Sequence, residues 1–278
     1  MKFIIELKKY IKQNNDFNIV NINGSYVEKK KKKRYDEFSD IDLFIVTENK
    51  DYYLNNPEWL KFYNSDFIYF NDPISFGIGM ELRVAFADGL LVDIAIVNKS
   101  ELIALRKNYI FNSKIAGRGT ICLKNNLNEE NYFDTSMNDT TRITSYELNR
   151  KLDEFWIDIA NIYKYIARND MFSAKYAFDR RITKLLIYAL EQYTKVTKPG
   201  TDTMFNGRNI NKWLDSQNME YLSKINSSME KKKMYKCINL AIDLFCNTMN
   251  QLFSYYNLKQ DNRNLVVDKI MKKGENNG

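Results

Sequence analysis

Residues 23–42 read NGSYVEKKKKKRYDEFSDID, and the two ends of this stretch decide the fold of the N-terminal half. Gly24 and Ser25 stand at one end, and Asp40 and Asp42 stand at the other end, one residue apart. Six consecutive basic residues lie between them. The function of the segment depends either on this positive charge, as in a nucleic-acid-binding or nuclear-targeting patch, or on the carboxylates that follow it.

The composition describes a folded protein with a slight excess of positive charge. The 278 residues suit one large domain or two smaller ones, and 44% hydrophobic residues are enough to bury a core. A net charge of +7 favours an anionic partner, which can be a nucleotide, a nucleic acid or a membrane surface. The three cysteines are far apart and form no CxxC pair, so we expect reduced thiols in a cytoplasmic protein. We expect no signal peptide and no membrane span, because charged residues interrupt every apolar run.

The sequence contains no histidine, which constrains its chemistry. Serine–histidine hydrolysis, cysteine–histidine catalysis and histidine-ligated zinc are therefore excluded. An enzyme with this composition must use carboxylates, lysine, tyrosine or a metal held by oxygen ligands.

The N-terminal half predicts a mixed sheet with a few helices. Apolar residues at helical spacing or in short β-prone runs define its elements, and Asp88-Gly89 between two of the runs predicts a hairpin turn. The predicted elements are a helix at 1–13, strands at 17–24 and 41–47, a helix at 56–63, strands at 66–70, 80–86 and 90–97, and a helix that begins at 98.

The C-terminal half predicts a helical bundle, since apolar residues recur there at helical spacing. The predicted helices cover 145–168, 171–193, 209–225 and 236–257, and the final residues, 272–278, predict a frayed tail. The polar stretch 125–141 separates the halves. We therefore predict an α+β protein with an N-terminal domain at 1–135 and a C-terminal domain at 136–278.

A third aspartate completes the pattern of the N-terminal half. Asp93 interrupts the apolar run LLVDIAIV, where an unpaired buried charge would be costly. Asp40 and Asp42 lie on one face of their strand, because side chains at positions i and i+2 point the same way. If the two strands are neighbours, the three carboxylates form a cluster that suits Mg²⁺ shared with substrate phosphates. Gly24 and Ser25 fit the same site, since a glycine lets backbone N–H groups approach a phosphate and a serine donates a hydrogen bond.

These motifs resemble the nucleotidyltransferase fold shared by DNA polymerase β and small antibiotic-modifying enzymes. Along most of its length the chain is similar to the aminoglycoside 6-adenylyltransferases, or streptomycin adenylyltransferases. The resemblance is carried by NGSYVEKKKKKRYDEFSDIDLFIV, PEWL and ELRVAFADGLLVDIAIVNKSEL, and in the helical half by SYELNRKLDEFW, LLIYALEQY, GRN and DNRN. Tyr26 stands where these enzymes often have arginine, and the segment before Asp40 is unusually rich in lysine.

The resemblance implies a DNA polymerase β-like nucleotidyltransferase domain followed by a helical substrate-binding domain. It implies transfer of AMP from ATP, with Mg²⁺, to a hydroxyl of an aminoglycoside such as streptomycin at its 6-hydroxyl, and so a role in antibiotic resistance. The carried-over roles are metal ligation and catalysis for Asp40, Asp42 and Asp93, the last as ligand or general base, and nucleotide binding for Gly24, Ser25 and Arg208. We expect ATP and an aminoglycoside as partners, no stable nucleic-acid partner, no membrane, and a monomer or weak dimer.

The motif DEFW places Asp153, Glu154 and Trp156 on one predicted helix. Two carboxylates and an aromatic ring suit a polycationic sugar, so these residues are candidate substrate ligands. The alternative is a solvated acidic pair beside a core tryptophan.

Three other hypotheses compete with this function. The same chemistry could serve another acceptor, such as a lincosamide, a different aminoglycoside, or a protein or RNA hydroxyl. A non-enzymatic nucleic-acid-binding protein built on the lysine run would bind with steep salt dependence, but it leaves Asp93 unexplained. A degenerate nucleotidyltransferase would act as a binding module, although all three carboxylates are present.

Overall fold

The structure, a computed structural model, describes residues 2–27, 39–74, 78–106, 119–127, 143–201, 203 and 206–275. The chain divides into two compact units, Met1–Thr140 and Thr141–Gly278. The predicted domain boundary between residues 135 and 136 and the lysine-rich segment lie outside the described residues.

The first unit contains a mixed β-sheet. Its strands are β1 (Ile19–Asn23), β2 (Ile41–Val46), β3 (Phe67–Pro73), β4 (Met80–Phe86), β5 (Leu91–Val97) and β6 (Ile121–Asn125). They form one six-stranded sheet in the order β3-β4-β5-β2-β1-β6. The β2–β5 pair is parallel, and the other described pairs are antiparallel. The predicted mixed sheet and the predicted hairpin between β4 and β5 are confirmed.

Helices cover both faces of this sheet. They are α1 (Lys2–Gln13), α2 (Lys50–Asn55), α3 (Lys99–Arg106) and two 3₁₀ helices, Gly24–Tyr26 and Pro57–Tyr63. The helix predicted at 56–63 is thus a 3₁₀ helix. The short elements α2 and β6 were not predicted, because neither contains enough residues to show a period.

Strand alternation assigns the residues of β2 to two different cores. Ile41 and Leu43 belong to a large core with Phe3 of α1. On the opposite face, Phe44 packs in a smaller core with Leu102 of α3. Asp42 lies on this same second face at the N-terminal end of β2, two residues before Phe44. Helix α3 packs on the part of this face toward the C-terminal end of β2, away from the carboxylates.

The second unit is helical, as predicted. Its helices are α4 (Ser145–Ala167), α5 (Met171–Ala177), α6 (Thr183–Thr197), α7 (Ile210–Trp213), α8 (Ser216–Lys224), α9 (Lys231–Tyr255) and α10 (Asn264–Glu275). Phe155 of α4 and Phe245 of α9 stack in its core with ring centroids 4.1 Å apart. Among the described helices, none has the length and apolar character needed to cross a membrane.

Two details of this unit differ from the sequence-based expectations, and a third, the cap of its first helix, was not predicted. The helix predicted at 171–193 is divided by a π-helical turn, Phe178–Ile182. The first helix is capped by Thr144, whose side chain and that of Glu147 form a reciprocal capping box. The tail predicted from residue 272 is wrong in part, because α10 continues to Glu275.

Candidate active site

Three carboxylates meet at the entry of β2. Asp42 on β2 lies directly beside Asp93 on the parallel strand β5, and Asp40 immediately precedes β2. One carboxylate oxygen from each of these half-buried residues lies within 4.8 Å of the others. The neighbouring strands therefore bring together the cluster that the sequence predicts.

The residue at position 24 must be glycine because its backbone lies directly against this cluster. Its φ is +69°, in the left-handed region, and a Cβ atom placed on it would lie 1.8 Å from the Oδ2 atom of Asp42. Any side chain would therefore collide with the carboxylate as well as strain the backbone. Ser25 follows in the same 3₁₀ helix, but its side chain lies outside the described part of the structure.

Asn23 links the turn at Gly24–Tyr26, called here the glycine turn, to the residue just before strand β6. It lies opposite Asp42 in the β1–β2 pair. Its side-chain oxygen accepts a hydrogen bond of 3.0 Å from the Thr120 hydroxyl, just before β6. Since the Asn23 side chain is buried, this bond satisfies a polar group that would otherwise be costly at the floor of the site.

The electrostatics of the cluster favour a bound cation. Burial, together with repulsion from Glu81 and Asp40 and against the opposing positive charge of Arg83, raises the pKa of Asp93 to about 6. Three hard oxygen ligands this close together are the donors that a divalent cation such as Mg²⁺ takes, and a cation would relieve their repulsion. Asp40, Asp42 and Asp93 therefore fit a divalent metal site.

The sequence analysis missed two polar residues of β4. Arg83 lies opposite Asp93 in the antiparallel β4–β5 pair. Its Nε donates a hydrogen bond of 2.8 Å to Glu81, and its guanidinium carbon lies 5.8 Å from the centre of the Phe70 ring. The alternation of MELRVAF next to the predicted hairpin already indicated that these polar side chains share a face with Asp93.

Of the three candidate substrate ligands in the second unit, one is buried and two are in ion pairs. Trp156 is only 9% exposed and belongs to the helical core. Asp153 forms two hydrogen bonds with Arg263, and Glu154 pairs with Lys151 at 2.7 Å. The structure thus places Trp156 in a packing role and leaves the two carboxylates in ion pairs.

The other predicted residue of this unit, Arg208, lies in the turn before α7. Its side chain is exposed, and its backbone carbonyl accepts a hydrogen bond of 2.9 Å from the Trp213 indole. Trp213 itself is buried, so this bond fixes the turn to the helical core while the guanidinium stays at the surface.

Comparison with known families identifies the chain. Residues 1–270 match the family model described as streptomycin adenylyltransferase. The chain belongs to the streptomycin adenylyltransferase family. This confirms the resemblance inferred from the sequence, and it makes the protein a nucleotidyltransferase that acts as an aminoglycoside adenylyltransferase. Its substrates are accordingly a nucleotide and an aminoglycoside.

Comparison with individual proteins shows only low similarity. No curated protein matches this adenylyltransferase significantly. The crystal structure of an aminoglycoside 6-adenyltransferase from Bacillus subtilis is similar at 16% sequence identity and a TM-score of 0.47, covering 100% of this chain and 96% of that one. The family assignment rests on the match along the sequence.

Proposed function

We propose that this adenylyltransferase uses Mg²⁺ and ATP to transfer AMP to the 6-hydroxyl of streptomycin, and that the modification gives antibiotic resistance. The observation that supports this most is the cluster of Asp40, Asp42 and Asp93 packed against Gly24. A triphosphate and a divalent cation are the ligands that such a set of carboxylates and a close backbone turn would bind together.

The carboxylates have defined roles in this proposal. Asp40, Asp42 and Asp93 would hold Mg²⁺, which when bound would neutralise the triphosphate and stabilise charge at the α-phosphorus. The turn at Gly24 and Ser25 would bind the outer phosphates through its backbone N–H groups, and Arg208 is a further candidate nucleotide ligand.

The transfer itself forms one bond and breaks one bond. The acceptor hydroxyl oxygen bonds to the α-phosphorus, the bond from that phosphorus to the oxygen bridging to the β-phosphate breaks, and pyrophosphate leaves. The hydroxyl proton needs an acceptor, and in a sequence without histidine a carboxylate fits this role. Asp93 would take the proton on a carboxylate oxygen if it does not serve only as a metal ligand.

Residues of the second unit are further candidate ligands of the aminoglycoside in this proposal. Asp153 and Glu154 are the candidate ligands for its cationic groups, and both keep exposed carboxylate surface beside their lysine or arginine partners. Trp156 contributes by holding α4 in the core, because its buried ring leaves little surface for stacking.

An acceptor panel tests the proposed function. The purified protein is incubated with ATP labelled in its adenine and α-phosphate, Mg²⁺ and one acceptor at a time: streptomycin, other aminoglycosides, a lincosamide, and a protein or RNA fraction. We expect labelled streptomycin, with AMP on its 6-hydroxyl by mass spectrometry and NMR. Label on a different acceptor and none on streptomycin would replace this function with the alternative.

A further inference from the structure

Three large apolar side chains are exposed on the face of the sheet that carries the carboxylates. Ile68, Phe70 and Leu91 are 76%, 55% and 52% exposed, respectively. Their strand registers place them on the face that carries the active site, since Phe70 lies opposite Arg83, and Arg83 lies opposite Asp93. Exposed apolar side chains that cluster and are rimmed by charge typically mark a binding surface.

Charged residues complete this surface. Arg83 lies at its centre, hydrogen-bonded to Glu81 and placed beside the Phe70 ring. Asp72 on β3 lies directly opposite Glu81 on β4. We call Ile68, Phe70, Asp72, Glu81, Arg83 and Leu91 the edge patch. Its two carboxylates outnumber its one guanidinium, so its charge complements a cationic ligand.

The position of the edge patch follows from the strand order. The glycine turn leaves β1, on one side of Asp42, whereas Asp93, β4 and β3 follow in order on the other side. In an in-line transfer the entering hydroxyl and the leaving pyrophosphate lie on opposite sides of the phosphorus. If the pyrophosphate binds at the Gly24 turn, the acceptor must approach from the side of β4 and β3.

The spacing of the strands suits a sugar of several rings. Neighbouring strands lie about 4.8 Å apart, so Phe70 is roughly 10 Å from Asp93 across the sheet. A ring that presents its hydroxyl at the carboxylates would then have its next ring above Arg83 and Phe70. In the next row of paired residues across the sheet, Ile68 lies opposite Ala85 and Ala85 lies opposite Leu91, so only the small Ala85 side chain separates the two larger ones.

We propose that the edge patch binds the acceptor in the first unit, with Phe70 against the face of a sugar ring and with Glu81 and Asp72 receiving its cationic group. Arg83 positions Glu81 through their hydrogen bond. This inference rests on the proposed function, because it requires the triphosphate to bind at the Gly24 turn.

Steady-state kinetics of full-length variants test the proposal. Phe70→Ala should raise the KM for streptomycin about 5- to 30-fold, because the variant loses the apolar contact of the Phe70 ring with the sugar ring, and it should leave the KM for ATP unchanged. Phe70→Tyr should restore most of the affinity. The matched control is Tyr69→Ala, since Tyr69 is 46% exposed on the same strand but points to the opposite face of the sheet. Glu81→Gln should raise the KM for streptomycin as well.

Calorimetric titration with streptomycin gives a readout that does not require turnover. We expect weaker binding by Phe70→Ala and wild-type binding by Tyr69→Ala, in the presence of Mg²⁺ and a non-hydrolysable ATP analogue. If the wild type binds streptomycin but transfers no AMP to it, the proposed function is contradicted. The affinities of the Phe70→Ala and Tyr69→Ala variants for streptomycin then still decide whether the edge patch binds it. An unchanged streptomycin affinity in Phe70→Ala, an equal loss in Tyr69→Ala, or no binding by the wild type would overturn the inference.

Discussion

Gly24→Ala should separate the catalytic function of the glycine turn from its contribution to folding. The new Cβ atom would lie 1.8 Å from Oδ2 and 2.8 Å from Cγ of Asp42. Reaching an ordinary contact distance requires the carboxylate to move by about 1.6 Å. A misplacement of about 1 Å can cost on the order of 100-fold in rate, so we expect AMP transfer to fall by about 100-fold or more. This loss corresponds to roughly 2.7 kcal/mol of transition-state stabilisation.

The matched control for this substitution is Gly89→Ala. Gly89 also has a left-handed backbone, with φ +87°, but a Cβ atom there would meet nothing within 4 Å. Both variants should therefore lose about 1–2 kcal/mol of unfolding free energy from backbone strain, measured by urea denaturation, and Gly24→Ala should lose more because its Cβ atom also collides with Asp42. Only Gly24→Ala should lose pyrophosphate release from ATP in the presence of streptomycin. Equal activities of the two variants would refute the reasoning.

Two further predictions concern Asp93 and Trp156. In metal-free protein, burial and the charge of Glu81 make ionised Asp93 unfavourable in the folded state despite Arg83, with a pKa of about 6. Asp93→Asn should therefore be more stable than wild type at pH 8; this advantage should shrink as the pH falls through 6 and vanish near the unfolded pKa, about 4. Protons compete with cations for the carboxylate, so Mg²⁺ affinity measured by calorimetry should fall below pH 6 in wild type and change less in the variant. An advantage that grows with acidity would contradict the sign of this shift. Trp156→Ala should cost about 3–5 kcal/mol in urea denaturation because its ring is buried, and Trp156→Phe much less. A fully stable Trp156→Ala with a raised KM for streptomycin would instead assign the ring to the substrate.

The sequence predicted the centre of the site because its signals are local. Asp40 and Asp42 share a face by strand alternation, and Asp93 is conspicuous in an apolar run. Whether the two strands are neighbours could not be known, since a parallel pair depends on contacts between segments about 50 residues apart. The structure supplies that pairing.

For the other residues of the site, the sequence contained only part of the information needed to predict their positions. The β4–β5 hairpin was predicted, so the position of Arg83 opposite Asp93 could have been derived from its tight turn. The exposure of Phe70 could not, because β3 resembles any apolar strand until its place at the edge of the sheet is known. The burial of Trp156 depended on which face of α4 meets the helical core, and this follows only from packing against other helices.

The central claim is that the three carboxylates form the metal-dependent catalytic centre, and Asp42→Asn tests it most directly. Transfer of labelled AMP to streptomycin and Mg²⁺ binding by calorimetry are measured in wild type, in Asp42→Asn and in Asp66→Asn, a charge-matched change at an exposed position outside the cluster. We expect Asp42→Asn to lose both transfer and Mg²⁺ binding while it stays folded, and Asp66→Asn to behave as wild type. Transfer that persists in Asp42→Asn would contradict the account.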